Sequence, residues 1–318
     1  MTARASTTYA LHGLTVRSEL ALDGAAIPDR DPDIEITFGE RRPIRSEPPE
    51  GELLSELTQP GAGSSLTRDA DGYVWRAYGV CEFVTDPARR RVRLHLAPGV
   101  DEELASMLAV TFLSRMLVLD GHLVLHASGV AVADQAIAII GHSGSGKSTI
   151  AALCCAAGAE LLSDDALRIA VRDGTAYCYR GSGELRLRPQ AAALAEAFSA
   201  SGLRTTLDGR TAVRPAQPAA ELFELAALVA PRLSPPATEI RVERLQGAAA
   251  VIELMRFPRT LGWTDIARTQ HNLDALTRLV ESLSVLAVEL PWNEASVGPA
   301  LARELLDRVF AMLSTSRE

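Results

Sequence analysis

The sequence has few cysteines, and none of them has the spacing of a metal site. Cys81, Cys154, Cys155 and Cys178 form neither a C-x-x-C pair nor a group with histidine, which argues against a structural zinc site. We expect them to be reduced thiols of the core, with one of the adjacent Cys154 and Cys155 facing inward. A nucleophilic cysteine is not expected.

Long hydrophobic runs are also missing. The most apolar stretch, residues 107–125, is interrupted by Arg115, Asp120 and His122, so no run reaches the roughly 18 apolar residues expected of a membrane-spanning helix. Residues 1–10 lack a basic segment followed by an apolar one, and no secretory signal is predicted. These observations predict a cytoplasmic protein without a membrane partner.

The chain has no excess of positive charge. Its formal net charge is −8, from 40 Asp and Glu against 32 Lys and Arg. Proteins that bind duplex nucleic acids usually present a basic face that displaces counterions, so a nucleic-acid partner is not expected. Hydrophobic residues make up 47% of the 318 residues and charged residues 23%, which is typical of a folded protein with one large or two modest domains.

Short apolar runs separated by turn residues dominate the first hundred residues. Strands are predicted at residues 9–16, 34–38, 72–77, 81–85 and 92–96, with residues 41–63 as a polar connection. This pattern predicts a small, mainly antiparallel β domain over residues 1–98. A helix at 104–119, preceded by acidic residues that suit its dipole, is expected to begin a second domain over residues 99–318.

Strands and helices are mixed in the second domain, which predicts an α/β fold. Strands are predicted at residues 123–125, 130–132, 136–140, 160–162, 166–171, 175–179, 239–255 and 285–290. Helices are predicted at residues 148–157, 190–198, 272–283 and 298–313. Residues 201–218 are interpreted as a loop over a site, and residues 231–236 as a break between elements.

The most informative motif is a phosphate-binding loop between a β-branched run and a helix-favouring segment. It reads Gly141-His142-Ser143-Gly144-Ser145-Gly146-Lys147-Ser148-Thr149, and strand, loop and helix come in the order that this motif requires. Its glycines let backbone N–H groups surround phosphate oxygens, Lys147 reaches the terminal phosphates, and Ser148 ligates Mg²⁺. ATP and Mg²⁺ are therefore the predicted cofactors. The predicted nucleotide-binding residues are Gly141, Ser143, Gly144, Ser145, Gly146, Lys147, Ser148 and Thr149.

Two carboxylates and a histidine accompany this loop along the sequence. Asp164 and Asp165 follow the next predicted strand, which in an α/β sheet would place them at the carboxyl edge beside the loop. One of them could bind the metal and the other could act as a base, although a solvated turn is the alternative. His126 ends the apolar run 123–125, a position where a lone histidine is more often a core group than a catalytic one.

The order of these segments resembles the catalytic domain of HPr kinase/phosphorylase. The matching segments are Leu-His-Ala-Ser at 125–128, the phosphate-binding loop, and Gly-Ala-Glu-Leu-Leu-Ser-Asp-Asp at 158–165. The chain is still more similar to HPr-kinase-related proteins, among them kinases that phosphorylate lasso peptides. Those proteins often begin with a Tyr-x-Leu-x-Gly-Leu motif, which residues 9–14 match. The resemblance touches most of the chain but is highly specific only over residues 123–169.

The resemblance implies a P-loop catalytic domain of the phosphoenolpyruvate carboxykinase type, and not of the RecA type, preceded by the β domain. It implies that Lys147 holds the β- and γ-phosphates, that Ser148 and one aspartate hold Mg²⁺, and that His126 pairs with the aspartate that acts as base. The sequence does not settle which aspartate that is. Our assignment takes Asp164 as the base and Asp165 as the residue closer to the metal and the histidine.

Further positive charge is needed to stabilise a transferring phosphoryl group, because Lys147 supplies a single charge against several. Arg210 lies where related proteins often carry a Gly-Lys-Arg element, and Arg256 and Arg259 lie at the end of a predicted strand. Arg186 and Arg188 are further candidates. A surface salt bridge is the alternative for each of them.

These observations predict an enzyme, a phosphotransferase related to HPr kinase. It would transfer the γ-phosphoryl group of ATP to a hydroxyl, with a serine of a peptide or small protein as the predicted acceptor and the N-terminal domain recognising it. A kinase of a small metabolite such as free serine or a sugar is one alternative, and a regulatory protein that holds ATP without transfer is another. The combination of His126, Asp164 and Asp165 favours transfer. The acceptor, phosphorolysis, the nucleotide preference and the oligomeric state, a homo-oligomer included, stay open.

Overall fold

Two units divide the chain at points that the sequence did not predict. The computed structural model describes residues 4–59, 62–257, 259, 262–293 and 297–315. Its units are Met1–Gly121 with Arg259–Asn272, and His122–Pro258 with Leu273–Glu318. The first unit extends beyond the predicted boundary at residues 98 and 99, because the following helix buries Phe112 and Leu113 in the core of that unit.

The first unit is a sheet whose strands follow the alternation of apolar residues. Its elements are β1 (Thr7–Leu11), β2 (Leu14–Ser18), β3 (Ala25–Ala26), β4 (Ile34–Phe38), β5 (Glu52–Gln59), β6 (Ala62–Arg68), β7 (Tyr73–Ala77), β8 (Cys81–Thr85), β9 (Arg91–Leu96) and α1 (Glu102–Leu119). Among the described residues the sheet has nine strands, in the order β3-β1-β2-β4-β9-β8-β7-β6-β5. Its pairs are antiparallel except for β2 with β4 and β4 with β9.

Aromatic side chains form the centre of this unit. The rings of Phe83 and Phe112 stack at 4.4 Å between centroids, and Trp75 lies 5.7 Å from Phe83. All three side chains are fully buried. Because Phe112 belongs to α1, the helix is part of this core and does not begin the second unit.

The prediction of a polar connection over residues 41–63 is wrong in its second half, where β5 lies. The main-chain carbonyl of Leu53 accepts a hydrogen bond from the hydroxyl of Thr264 at 2.8 Å, 211 residues later along the chain. Ser55 forms an isolated bridge with Trp263. Contacts this distant in sequence stabilise the strand, so the local pattern of β5 does not reveal it.

The second unit alternates strands and helices, as predicted for an α/β fold. Its elements are β10 (Leu123–Leu125), β11 (Ala127–Val132), β12 (Gln135–Ile140), α2 (Lys147–Ala156), β13 (Glu160–Ser163), β14 (Leu167–Arg172), β15 (Thr175–Tyr179), β16 (Leu185–Leu187), a 3₁₀ helix (Pro189–Ser201), β17 (Arg204–Thr205), β18 (Thr211–Val213), β19 (Leu222–Ser234), β20 (Arg241–Leu245), α3 (Gly247–Met255), α4 (Ile266–Ser282), β21 (Ser284–Pro291) and α5 (Pro299–Ser314). Helix α4 runs across the division at residues 272 and 273.

The large sheet of the second unit is mixed. Its order is β10-β14-β15-β19-β12-β11-β13, with β21 paired to β19 and β20 paired to β21. Strands β12, β19 and β21 are parallel neighbours. One face packs against α2 and α5, as Ile150 and Leu305 illustrate, and the other against α3 and α4, as Leu254 and Leu276 illustrate. A small separate sheet has the order β16-β18-β17.

Three predictions for the second unit differ from the structure. Residues 239–255 were predicted as strands, but α3 begins at Gly247, since the alanines at 248–250 favour a helix. The predicted break at 231–236 falls partly within β19, which continues through Pro231 to Ser234. Its pairing with β12 ends at Val229, so Pro231 lies beyond the last paired residue on that side. The N–H that proline lacks is therefore not needed for a hydrogen bond to β12. Strands β17 and β18 also occupy part of the predicted loop at 201–218.

The cysteines lie in or beside the core, as expected. All four are free, with Cys155 half-buried and the others buried. Burial raises the pKa of Cys81, Cys154 and Cys178 to about 12, which disfavours the nucleophilic thiolate. Among the helices that the structure describes, none combines the length and apolar character needed to cross a bilayer.

Candidate functional site

The phosphate-binding loop joins the carboxyl end of β12 to the first residue of α2. Gly144 and Gly146 have φ angles of 86° and 87°, a left-handed conformation that glycine adopts without strain. Gly146 is the N-cap of α2 and has no side chain that could occupy the N–H groups of the first turn. The start of α2 therefore offers backbone donors and the positive end of the helix dipole to an anion.

Lys147 is held in the interior of the site. Its side chain is only 6% exposed, and its ammonium group donates to the carbonyl oxygens of Gly141 and His142, both at 2.9 Å. The ammonium nitrogen also lies 3.1 Å from Nε2 of His126. These contacts fix the one lysine of the chain between the loop and the histidine.

A tight turn after β13 separates the two aspartates. Strand β13 is antiparallel to β11, which is antiparallel to β12, so β12 and β13 end at the same edge of the sheet. Asp165 has a φ of 69°, and the amide of Ala166 donates to the carbonyl of Asp164 at 2.9 Å. Aspartate tolerates this left-handed conformation better than most residues. As a result, the two neighbouring carboxylates contact different parts of the site.

Asp164 is buried between two hydroxyl groups. Ser128 donates to its Oδ1 at 2.5 Å, and Ser148 donates to its Oδ2 at 2.9 Å. Burial raises the pKa of Asp164 and the nearby charge of Asp165 adds to the rise, while the two serine hydroxyls oppose it. A carboxylate in these surroundings would be stabilised by a bound cation.

Asp165 pairs with His126. Nδ1 of His126 lies 3.0 Å from the carbonyl oxygen of Asp165 and 3.2 Å from its carboxylate. Because the ammonium group of Lys147 can only donate, Nε2 of His126 accepts from it, and Nδ1–H is left to donate to Asp165. The backbone amide of His126 donates to the carbonyl of Phe257 at 2.8 Å, which anchors the main chain that carries the imidazole.

The donor set next to α2 fits Mg²⁺. Ser148 and Asp164 supply hard oxygen ligands, and Mg²⁺ is commonly held by one or two carboxylates together with substrate phosphates. Within the ranges that the structure describes, no group of three or more His, Cys, Asp or Glu side chains could hold a metal ion. A metal at this site would therefore depend on the phosphates of a nucleotide for further ligands.

A cavity of about 980 Å³ connects these groups with three of the candidate arginines. Arg186 lies in β16, and Arg188 directly follows the strand in extended backbone. Residues two apart in an extended segment project to the same side, and both arginines line the cavity with Arg210. A Cβ atom built on Gly144 would lie 3.3 Å from Nη2 of Arg188, which places that guanidinium against the loop. Arg210 is paired with Asp208 at 3.1 Å.

Two other candidate arginines have different surroundings. Arg256 donates to Nε2 of His142 at 3.1 Å and pairs with Glu253 at 3.2 Å, so it contacts the loop from the end of α3 without lining the cavity. Arg259 belongs to the first unit, where its carbonyl accepts a hydrogen bond from Arg115 at 3.0 Å. The structure thus groups Arg210, Arg186 and Arg188 around the cavity, whereas Arg256 and Arg259 are not among the residues that line it.

The geometry agrees with only part of our assignment of the two aspartates. Asp165 is the carboxylate next to His126, as assigned, whereas Ser148, the predicted metal ligand of the loop, contacts Asp164, which was taken as the base. The local cause is the turn at Asp165, which no sequence pattern specified. Ser128 was not among the predicted site residues, although its position two residues after His126 is a spacing that places side chains on one side of an extended segment.

Comparisons with known proteins give limited information. No protein-family model matches the sequence, and no curated protein matches it. Among solved structures, the chain is similar to the HPr(Ser) kinase/phosphatase from Coxiella burnetii, at 12% identity and a TM-score of 0.34, covering 61% of this chain and 94% of that chain. Identity and a TM-score this low leave the function to be argued from the side chains themselves.

Proposed function

We propose that this protein is a Mg²⁺-dependent kinase that transfers the γ-phosphoryl group of ATP to a hydroxyl group. The observation that carries the proposal is the arrangement around Lys147. On one side of it, Ser148 contacts Asp164 at 2.9 Å, and on the other, His126 contacts Asp165 at 3.2 Å. A protein that only senses ATP has no need for the second carboxylate with its histidine.

The proposed roles follow from these contacts. Ser148 and Asp164 would hold Mg²⁺, which supplies charge neutralisation for the β- and γ-phosphates when it is bound. Lys147 and the N–H groups at the start of α2 bind the phosphate oxygens. Arg186, a neighbour of Asp164 in charge interaction, adds positive charge where the transferring group develops negative charge.

Asp165 is the proposed base. Its carboxylate accepts the proton of the acceptor hydroxyl as the oxygen forms a bond to the γ-phosphorus, and the bond from that phosphorus to the β-phosphate oxygen breaks, so ADP leaves. His126 donates Nδ1–H to Asp165 and thereby orients it. The partial exposure of the Asp165 side chain, 30%, leaves an approach for an acceptor that the buried Asp164 does not have.

The acceptor is proposed to be a serine of a peptide or small protein, and the chain is proposed to be a relative of HPr kinase. The Leu-His-Ala-Ser segment, the loop and the paired aspartates support this proposal. An acceptor of that size suits a base that is open to solvent.

Transfer is tested with Mg²⁺ and ATP labelled in the γ-phosphate, using serine-containing peptides and their alanine-substituted counterparts. We expect label on serine peptides only, and Asp165→Asn should lower the rate by about 10² to 10⁴-fold. Retention of near-normal transfer by Asp165→Asn would refute its role as base. Binding of ATP without transfer to any hydroxyl would favour a regulatory protein.

Nucleotide binding can be tested separately by chemical labelling of a lysine. Lys147 is the only lysine in the chain, so an acyl phosphate of ATP that acylates amino groups should modify one internal residue. Peptide mass spectrometry should find the adduct on Lys147, and excess ATP should suppress it. Lys147→Arg keeps the charge but removes both the reactive amine and the compact ammonium geometry, so labelling should disappear. Labelling that ATP fails to suppress would contradict the proposed site.

A further inference from the structure

The same cavity has an apolar end on the side of α2 away from the carboxylates. Gly146, Thr149 and Leu153 lie on one stripe of the helix start, since residues three and seven apart share a helical face, and all three line the cavity. Ser148, which contacts Asp164, projects from the opposite side. The cavity therefore leads from a charged end beside Ser148 to an apolar end beside Thr149.

An aromatic side chain forms one wall of this apolar end. Trp292 directly follows β21, and its amide donates to the carbonyl of Ser234, the last residue of β19, at 3.3 Å. A Cβ atom built on Gly146 would lie 4.0 Å from Cζ2 of Trp292 and 3.2 Å from Cδ1 of Leu233. The indole is thus held against the last glycine of the loop, outside the carboxyl ends of the parallel strands, where ligands of α/β sheets bind.

Further apolar side chains line the cavity. Ala191 and Leu194 of the 3₁₀ helix line the cavity, and like Trp292 they are only partly buried against the core beneath α2. Phosphate groups gain nothing from such walls, because they need donors and cations. Apolar and aromatic side chains next to a phosphate site instead suit an aromatic ring that is covalently joined to the phosphates.

We propose that Trp292 stacks on the purine base of the nucleotide whose phosphates bind the loop, and that Leu233, Ala191 and Leu194 complete the base slot. The inference rests on the proposed function in that it takes the loop to hold a nucleoside triphosphate. With the γ-phosphate beside Lys147 and Ser148, the base lies at the other end of the extended nucleotide, and the stripe on α2 leads there. Stacking on an aromatic side chain raises affinity by about tenfold or more.

The test compares ATP with inorganic tripolyphosphate, both with Mg²⁺, by calorimetry on the full chain. Wild type should bind ATP at least about tenfold more tightly than tripolyphosphate. Trp292→Ala should bring the ratio of the two dissociation constants close to one without weakening tripolyphosphate binding, and Trp292→Phe, which keeps an aromatic face and the packing, should retain part of the preference. Trp263→Phe, a matched substitution in the first unit, should leave the ratio unchanged.

Fluorescence gives a second readout, since Trp292 is the only tryptophan of the second unit. ATP should quench the emission and tripolyphosphate should not, and Trp292→Phe should abolish the quenching. An unchanged ratio in Trp292→Ala, equal quenching by the two ligands, or no binding of either would overturn the inference. Base-dependent binding in a protein that transfers no phosphoryl group would support the base slot and refute the kinase. Normal phosphoryl transfer, with a ratio of dissociation constants that Trp292→Ala leaves unchanged, would support the kinase and refute the base slot.

Discussion

Glu82 of the first unit and Asp164 of the second are both almost completely buried, with 4% and 6% of their surface exposed, yet their partners differ. Glu82 is held by Arg76, its cross-strand neighbour, at 2.5 Å and by Arg42 at 2.6 Å. The hydrogen bonds that hold Asp164 come from the hydroxyls of Ser128 and Ser148. Hydroxyls can rotate toward another partner, whereas guanidinium groups already neutralise the charge. The first carboxylate is therefore suited to structure and the second to binding a cation.

The largest effect expected from this contrast is on phosphoryl transfer. Asp164→Asn removes the charge that would hold Mg²⁺, and kcat should fall by at least about a thousandfold, equivalent to about 4 kcal/mol. Steady-state transfer assays at saturating Mg²⁺ check this. The matched control is Asp173→Asn, in the hairpin turn between β14 and β15, which should keep wild-type activity. A loss of less than tenfold in Asp164→Asn would contradict the proposed metal role.

Glu82→Gln should be the most damaging change to stability. It leaves two arginines, one of them nearly buried, without their shared carboxylate, and breaking such a pair costs about 3 kcal/mol. Urea unfolding should show the loss, while transfer by the folded protein at low temperature should be unchanged. The exposed Glu47→Gln, which also faces an arginine, should cost less than about 1 kcal/mol. Equal losses of stability in Glu82→Gln and Glu47→Gln would contradict the structural role assigned to Glu82.

His126→Gln should have a smaller effect than loss of either site aspartate. The imidazole joins Lys147 to Asp165 and is proposed to orient both, and loss of such a supporting contact lowers activity by about 10- to 100-fold. The measurement is kcat against pH, which should change in shape as well as height if the proton acceptor is affected. His271→Gln, the same substitution in the first unit, is the control. Loss of activity with an unchanged pH profile would indicate a merely structural role.

The parts of the fold that the sequence predicted are those with local causes. Strand β4 was predicted with its observed bounds because its apolar alternation is complete, and α2 because a phosphate-binding loop precedes it. Strand β5 was missed because Thr264 and Trp263, far along the chain, hold it in place. Helix α1 was given to the wrong side of the expected boundary because its packing against Phe83 cannot be seen in its local sequence pattern.

For the candidate site, the motif identified residues but not their pairing. The roles predicted for Lys147, Ser148 and the three flanking side chains stay predictions, and so does recognition of an acceptor by the first unit. The two carboxylates have different contacts because Asp165 adopts a left-handed turn, which its sequence neighbours do not specify. Arg186 and Arg188 could have been favoured over Arg259, because they alternate with the buried Leu185 and Leu187.

The smallest expected effect is a gain in stability on Asp164→Asn, whereas Glu82→Gln should lower stability. Burial raises the pKa of Asp164 above its ordinary value of 3.8, so the folded state favours the protonated carboxyl and stability falls as the pH rises from 3.8 through the raised pKa. At pH values above the raised pKa the full penalty is present, and there Asp164→Asn, which lacks it, should be more stable than wild type by about 1 kcal/mol. The gain should shrink as the pH is lowered through the raised pKa, because the wild-type carboxyl is then neutral too. Urea unfolding of wild type, Asp164→Asn and Asp173→Asn over this pH range, without Mg²⁺, measures it. A gain that is independent of pH would show that the substitution acts through packing, and a loss at pH values above the raised pKa would show that Ser128 and Ser148 stabilise the buried charge more than burial penalises it.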